Sequence, residues 1–262
     1  MDMRPCSVAG MFYPAEPRHL EQLLERLFQR GAPGIDARGI VAPHAGYIYS
    51  GEVGACAFST ILPDFDGTFV VIGPSHRGYV TAASATPWET PLGIVDIDTG
   101  FIDALGIGID EAAHRDEHSI EVQMPIIKYR FPRARIAPIM MGHQGYEAAG
   151  DLAGHLIQAI ERTGRDVRIV ASSDFSHYVP EDVARRQDIY AIDALKTLDV
   201  SEFYHRLQET GATVCGYGPI AAMCIACQAF GAEKGELLQY ATSGDVTGDF
   251  NQVVGYAAIA VV

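Results

Sequence analysis

Val41-Ala42-Pro43-His44-Ala45-Gly46-Tyr47 is the stretch from which the fold can be read, because an apolar run ends in a proline, presents one histidine and turns at a glycine. A near copy stands at Val70 to Tyr79, Val-Val-Ile-Gly-Pro-Ser-His-Arg-Gly-Tyr, where His76 again follows an apolar run and sits between a proline and a Gly-Tyr pair. Arg135 to Met141 leads to Gly142-His143, and Val167 to Ser173 leads to Asp174-Phe175-Ser176-His177. Four strand-like segments thus end near a histidine. In an open parallel sheet the ligand crevice lies outside the carboxyl ends of the strands, so histidines placed there converge, as a metal ion requires. The prolines stiffen the approach to His44 and His76, and the nearby glycines let the chain turn without a Cβ clash. A histidine after a strand also serves ordinary loops, as a hydrogen-bonding residue with no ligand role.

Outward from these runs, the pattern alternates strands and helices. Pro17 opens a helix whose Leu20, Leu23, Leu24, Leu27 and Phe28 recur at helical spacing, with Gly31 and Pro33 ending it. Gly39 to Ala42 reads as the first central strand, and Ser50 is placed to cap a small-residue helix through Thr60. Thr68 to Ile72 is the second strand. Trp88 to Leu92 reads as a rim loop, Gly93 to Asp98 as a strand and Thr99 to Leu105 as a short helix. Arg135 to Met141 and Val167 to Ser173 are buried-strand candidates separated by an amphipathic helix from about Tyr146 to Arg162, a βαβ rhythm. Helices over roughly Glu181 to Leu198 and Ser201 to Glu209 follow, and Leu237 to Thr242 and Gln252 to Val262 read as closing strands around a polar loop, Ser243 to Asp249. That acidic loop lacks the alternating ligands and terminal glutamate of a calcium-binding loop and reads as a solvated hairpin. Ser7 to Pro14, small and aromatic, is expected to pack as an irregular arm.

The 262 residues show no linker or low-complexity run at which to divide them, so a single domain over 1–262 is expected, with a central, mostly parallel sheet flanked by helices. A formal charge of −14 argues against general binding to nucleic acid or anionic membranes, which reward lysine and arginine. The five cysteines, Cys6, Cys56, Cys215, Cys224 and Cys227, are an odd number, and no apolar run reaches the roughly 18 residues that span a bilayer. With no leader-like apolar segment at the N-terminus, the expectation is a cytoplasmic protein with free thiols.

Two further segments carry chemistry. In Arg115-Asp116-Glu117-His118-Ser119-Ile120-Glu121, Asp116 is placed to cap a helix that carries Ile120, Met124 and Ile127 inward and that Pro125 would kink. His118 and Glu121 share a face, so the carboxylate could orient the imidazole; an exposed surface pair is the plainer reading. In Gly211 to Pro219, Cys215 lies in a glycine-rich turn before a helix, where a helix N-terminus favours thiolate. Cys224 and Cys227 form a C-x-x-C among alanine, methionine and isoleucine residues and read as core.

These motifs, Ala42-Pro-His-Ala-Gly-Tyr47, Gly73-Pro-Ser-His76, Asp116-Glu-His-Ser-Ile-Glu121, Ser172-Ser-Asp-Phe-Ser-His177, Cys215-Gly with Pro219-Ile, and Val254-Gly-Tyr256, closely resemble the Memo family, whose prokaryotic members are called AmmeMemoRadiSam system protein B. The match runs in order from Ser7 to the C-terminus. The resemblance implies an α/β domain similar to the class III extradiol dioxygenases, which use non-haem iron. Carried over by position, it makes His44, His76 and Cys215 the metal ligands, with Asp174 and His177 beside them. A thiol then stands where the dioxygenases place a carboxylate, and a Cys/His₂ set suits copper or zinc as well as Fe(II). The resemblance also implies an AMMECR1-like protein and a radical SAM protein as partners. Vertebrate relatives are linked to phosphotyrosine signalling, although an acidic chain is a poor receptor for phosphate, which arginine usually holds.

Three functional readings follow. The first is an iron-dependent oxidoreductase in which His177 acts as acid/base and Asp174 orients it or binds the metal, with His118 as a further catalytic candidate. The second is a non-catalytic protein that binds a metal, a small molecule or a peptide in an enzyme-like cleft. The third is a metal-dependent hydrolase. His143 is claimed by none of the family motifs, and the pocket's polarity depends on which of Tyr47, Tyr79, Trp88, Tyr178 and Tyr217 face it.

Overall fold

The computed structural model describes residues 3–29, 35–78 and 80–262; Gly31, Pro33 and Tyr79 lie outside them. The arm leads into α1 (Pro17–Phe28), which buries Leu20 and Leu24 while Leu23, Leu27 and Phe28 are partly covered. Then come β1 (Gly39–Ala42), α2 (Tyr47–Phe58), β2 (Thr68–Pro74), β3 (Ala82–Ala83), the hairpin β4 (Trp88–Thr90) with β5 (Gly93–Val95), and α3 (Thr99–Leu105). Short helices α4 (Glu111–His114), α5 (His118–Glu121) and α6 (Gln123–Arg130) precede β6 (Arg135–Met141), α7 (Tyr146–Thr163), β7 (Val167–Ser172) and β8 (His177–Val179). The chain closes with α8 (Glu181–Leu195), α9 (Val200–Thr210), α10 (Tyr217–Ala229), β9 (Gly235–Thr242), α11 (Gly244–Thr247) and β10 (Val253–Val261).

One large mixed sheet runs β3-β6-β2-β7-β1-β10-β8, with β9 also on β10. Its centre, β6-β2-β7-β1, is parallel, and β3, β8, β9 and β10 pair antiparallel. β1 and β2 are buried along their whole length, as strands covered on both faces must be. The covering helices form separate groups: α2 packs with α1, α10 with α7, and both α2 and α10 reach β1. Cys224 and Cys227 are buried on α10, as the apolar setting of their C-x-x-C required. No helix among the described residues is long and apolar enough to cross a membrane.

Four local expectations are corrected. Trp88 to Leu92 is not a rim loop: Trp88 is fully buried on β4, donates from Nε1 to Ser84 Oγ at 3.0 Å and lies under the Arg4 guanidinium at 4.0 Å. α2 begins at Tyr47 with Gly46 as its cap, so Ser50 lies inside the helix and donates to the Ala45 carbonyl at 3.0 Å. The cap of α5 is Glu117, whose carboxylate accepts from Ser119 N; Asp116 is exposed. The third strand candidate ends early, at Val95. The break between α5 and α6 falls at Val122, where Pro125 leaves the Glu121 carbonyl without an i+4 donor.

Candidate metal site

The topology explains why distant histidines meet. β7 separates β1 from β2, so the chain leaves the sheet at His44 and at His76 two strand spacings apart, roughly 10 Å. Between them β7 ends at Ser172, and Ser173 follows it, both buried and small enough to leave room above for imidazoles. The third histidine arrives sideways. A Cβ on Gly73 would lie 2.4 Å from Ser119 Oγ and 2.7 Å from Ile120 Cγ1, so only glycine lets α5 settle against the end of β2 and set His118 beside His76.

His44, His76 and His118 form a group whose ligand atoms all lie within 4.8 Å of one another. His76 and His118 stack with centroids 4.6 Å apart, and His44 stands edge-on to each at 5.4 Å. His44 is buried, His118 half-buried and His76 lies at the mouth. Burial holds His44 and His118 below the usual histidine range, helped for His44 by its two neighbours and for His118 by His76. Those two rings are therefore neutral at neutral pH, the state a metal takes.

Glu117 is the orienting carboxylate that sequence reasoning passed over in favour of Glu121. Its Oε1 accepts from His76 Nδ1 at 2.8 Å and lies 3.5 Å from His118 Nδ1, while its Oε2 accepts from His76 N. Burial alone would raise its pKa, but the His76 contacts and the Ser119 amide outweigh this and hold it down at about 2. Glu121 faces away. It accepts from Arg4 Nη1 at 2.6 Å, from Ser7 N and Oγ, from Val8 N and from Tyr13 OH at 2.7 Å, so it ties down the N-terminal arm rather than His118. The helical periodicity that put His118 and Glu121 on one face could not separate these roles.

Cys215 stands beside the cluster, its Sγ 3.2 Å from His44 Nε2. A Cβ on Gly216 would lie 2.5 Å from the Ser172 carbonyl oxygen, so glycine permits this loop to lie against β7. The expected thiolate is not favoured in the metal-free protein: burial, and then the Asp174 carboxylate, push the thiol's pKa up. Neither Gly216, the helix cap, nor α10 itself offsets that desolvation. Asp174, whose pKa burial also raises, accepts from His44 N at 2.8 Å and so braces the backbone at His44. His177 lies on the rim, its Nδ1 donating to the Thr213 carbonyl at 2.9 Å and its N–H to Thr213 Oγ1. The Thr213 carbonyl thus orients His177 through Nδ1.

Of the aromatic candidates, Tyr47 is buried with its hydroxyl on the Val122 carbonyl, Trp88 is core, and Tyr178 is exposed at φ 57° next to His177. Tyr217 lines a separate cavity of about 620 Å³ with Tyr146, Tyr204, Leu207 and Val214. That cavity shares the Thr213 loop with His177, but none of the three clustered histidines lines it. His143 does not join the cluster.

Comparison with known proteins identifies the family. The family model described as Memo-like protein matches residues 4–260. A MEMO1 family protein of Methanosarcina barkeri is 44% identical over 99% of this chain and 100% of its own, one from Methanosarcina acetivorans 45% identical over the whole of both, and one from Archaeoglobus fulgidus 46% identical over 98% of each. With the family model and full-length relatives in agreement, the chain belongs to the Memo family.

Proposed function

We propose that this protein is a non-haem, iron-dependent oxidoreductase whose metal is held by His44, His76 and His118, with Cys215 as a further ligand on the His44 side. The observation that carries the reading is the cluster itself: three imidazoles from three different elements with ligand atoms within 4.8 Å, one of them braced by a buried carboxylate. The donor set fits a borderline metal, and iron bound there would supply redox chemistry with dioxygen while copper or zinc fits the same ligands. The chain's own residues do the rest. Glu117 aims His76, Asp174 fixes the backbone of His44, and His177 on the rim exchanges protons with substrate.

Iron analysis of anaerobically purified protein tests this. Wild type is expected to load close to one iron, with loading lost in His44→Ala and His118→Ala and lowered in Cys215→Ala; undiminished iron in both histidine variants would sink the assignment. A set of three imidazoles is also a catalytic zinc arrangement, which favours hydrolysis as the second reading. Turnover that persists under argon with zinc replaces the first reading by the second. By family resemblance, an AMMECR1-like protein and a radical SAM protein are the proposed partners, to be sought by co-purification from the native cells.

A further inference from the structure

We propose that Ser172, working with the Ser119 carbonyl and Gln123, is a positioning residue that fixes His44 as its Nδ1–H tautomer, so that Nε2 keeps a free lone pair for the metal. The inference rests on the metal reading above, but it concerns the protein before any metal arrives.

Ser172 ends β7 and is fully buried. Its hydroxyl oxygen lies 2.6 Å from the Ser119 carbonyl oxygen, 2.8 Å from Gln123 Nε2 and 3.0 Å from His44 Nδ1. A carbonyl only accepts, so at 2.6 Å the single hydroxyl proton must point to Ser119. The Gln123 amide is fixed independently, because Nε2 also donates to the Pro43 carbonyl at 2.9 Å and a flipped amide would set two oxygens against each other. Gln123 therefore donates to Ser172. With no second hydroxyl proton to give, Ser172 can hydrogen-bond His44 only if Nδ1 carries the hydrogen.

The remaining nitrogen is then bare, and it is this Nε2 that the Cys215 sulfur approaches at 3.2 Å. An unrestrained neutral imidazole exchanges between tautomers, and the Nε2–H form would present a proton where the metal must bind. Gln123 carries a cost that suits this role. Its Oε1 is buried with no partner among the described residues, a burden that an apolar residue would avoid, so the amide is not there for stability alone. His76 reaches the same tautomer by a different device, the Glu117 carboxylate.

The test is proton–nitrogen correlation spectroscopy of metal-free protein with isotope-labelled histidine, the His44 signals being assigned with His44→Gln. Wild type is expected to show the His44 proton on Nδ1. Ser172→Ala is expected to show mixed tautomers and zinc affinity lowered by about 10–100-fold in competition with a chromophoric chelator, with Ser172→Thr, which keeps the hydroxyl, close to wild type. A wild-type His44 protonated on Nε2, or a tautomer unchanged in Ser172→Ala, overturns the proposal. Should Ser172→Ala fail to fold, the wild-type spectrum alone decides. An Nδ1–H tautomer in a wild-type protein that binds no zinc or iron would uphold the lock and bring down the metal reading.

Discussion

At the scale of single residues, the site is governed by which atoms can only accept. Glu117 is the clearest case, because one buried carboxylate receives the His76 side chain, the His76 amide and the Ser119 amide. Replacing it by glutamine keeps the shape but removes the negative charge that accepts from His76 Nδ1 and His76 N. Zinc affinity of Glu117→Gln is expected to fall about 10-fold in a chelator competition, with the fold retained by circular dichroism. An affinity equal to wild type would show that Glu117 serves only to cap α5. His118 was legible in the sequence as a chemical residue, but not as a neighbour of His76, since their contact is made by tertiary packing.

At the scale of elements, two glycines set how closely the pieces of the site approach. In Gly73→Ala the new Cβ would press on Ser119 and Ile120, which sit on a helix anchored by its own cap. Overpacking of this kind costs about 1–3 kcal/mol, so a thermal melt should fall by several degrees. Displacing α5 also moves Glu117 and His118, so metal affinity should drop together with stability. Stability that falls while affinity stays unchanged would separate the α5 position from the site. The apolar runs and the proline–histidine–glycine turns made the strands and their order of chemistry readable. The helix starts at Tyr47 and His118 depart from the expected caps because capping there depends on Gly46 and on Glu117, not on a serine or aspartate.

At the scale of the whole molecule, the N-terminal arm is drawn across the domain and held by Glu121. Phe12 from this arm packs on the His118 ring at 4.9 Å, and its carbonyl accepts from Tyr47 N, so the arm also walls the site. Arg4 and Glu121 are almost wholly buried, and Glu121→Gln leaves the arginine without its counter-charge; a loss of about 3–5 kcal/mol is expected. The arm of this variant should be cleaved first in limited proteolysis, and equal protection in both proteins would refute the tie. The pH dependence has a definite sign. Burial would raise the Glu121 pKa, but Arg4 and the hydrogen bonds of Tyr13 and Val8 hold it below its ordinary value. Its contribution is thus complete above the unfolded pKa of about 4.3 and is lost as pH falls through the lower folded value. The melting-temperature gap between wild type and Glu121→Gln should accordingly be constant near neutrality and close in acid.

The sequence by itself determined the α/β alternation, the buried strands and the placing of His44 and His76 at strand ends, because period, burial and turn chemistry are local properties that residue order encodes. It also carried the family resemblance. Only the tertiary structure decided which groups face one another: that His118 joins His44 and His76, that Glu117 and not Glu121 orients the cluster, that Cys215 meets His44 as a thiol rather than a thiolate, and that Trp88 is core. Those outcomes depend on β7 lying between β1 and β2, on close approaches at Gly73 and Gly216, and on desolvation. Each is set by chain segments far apart in sequence.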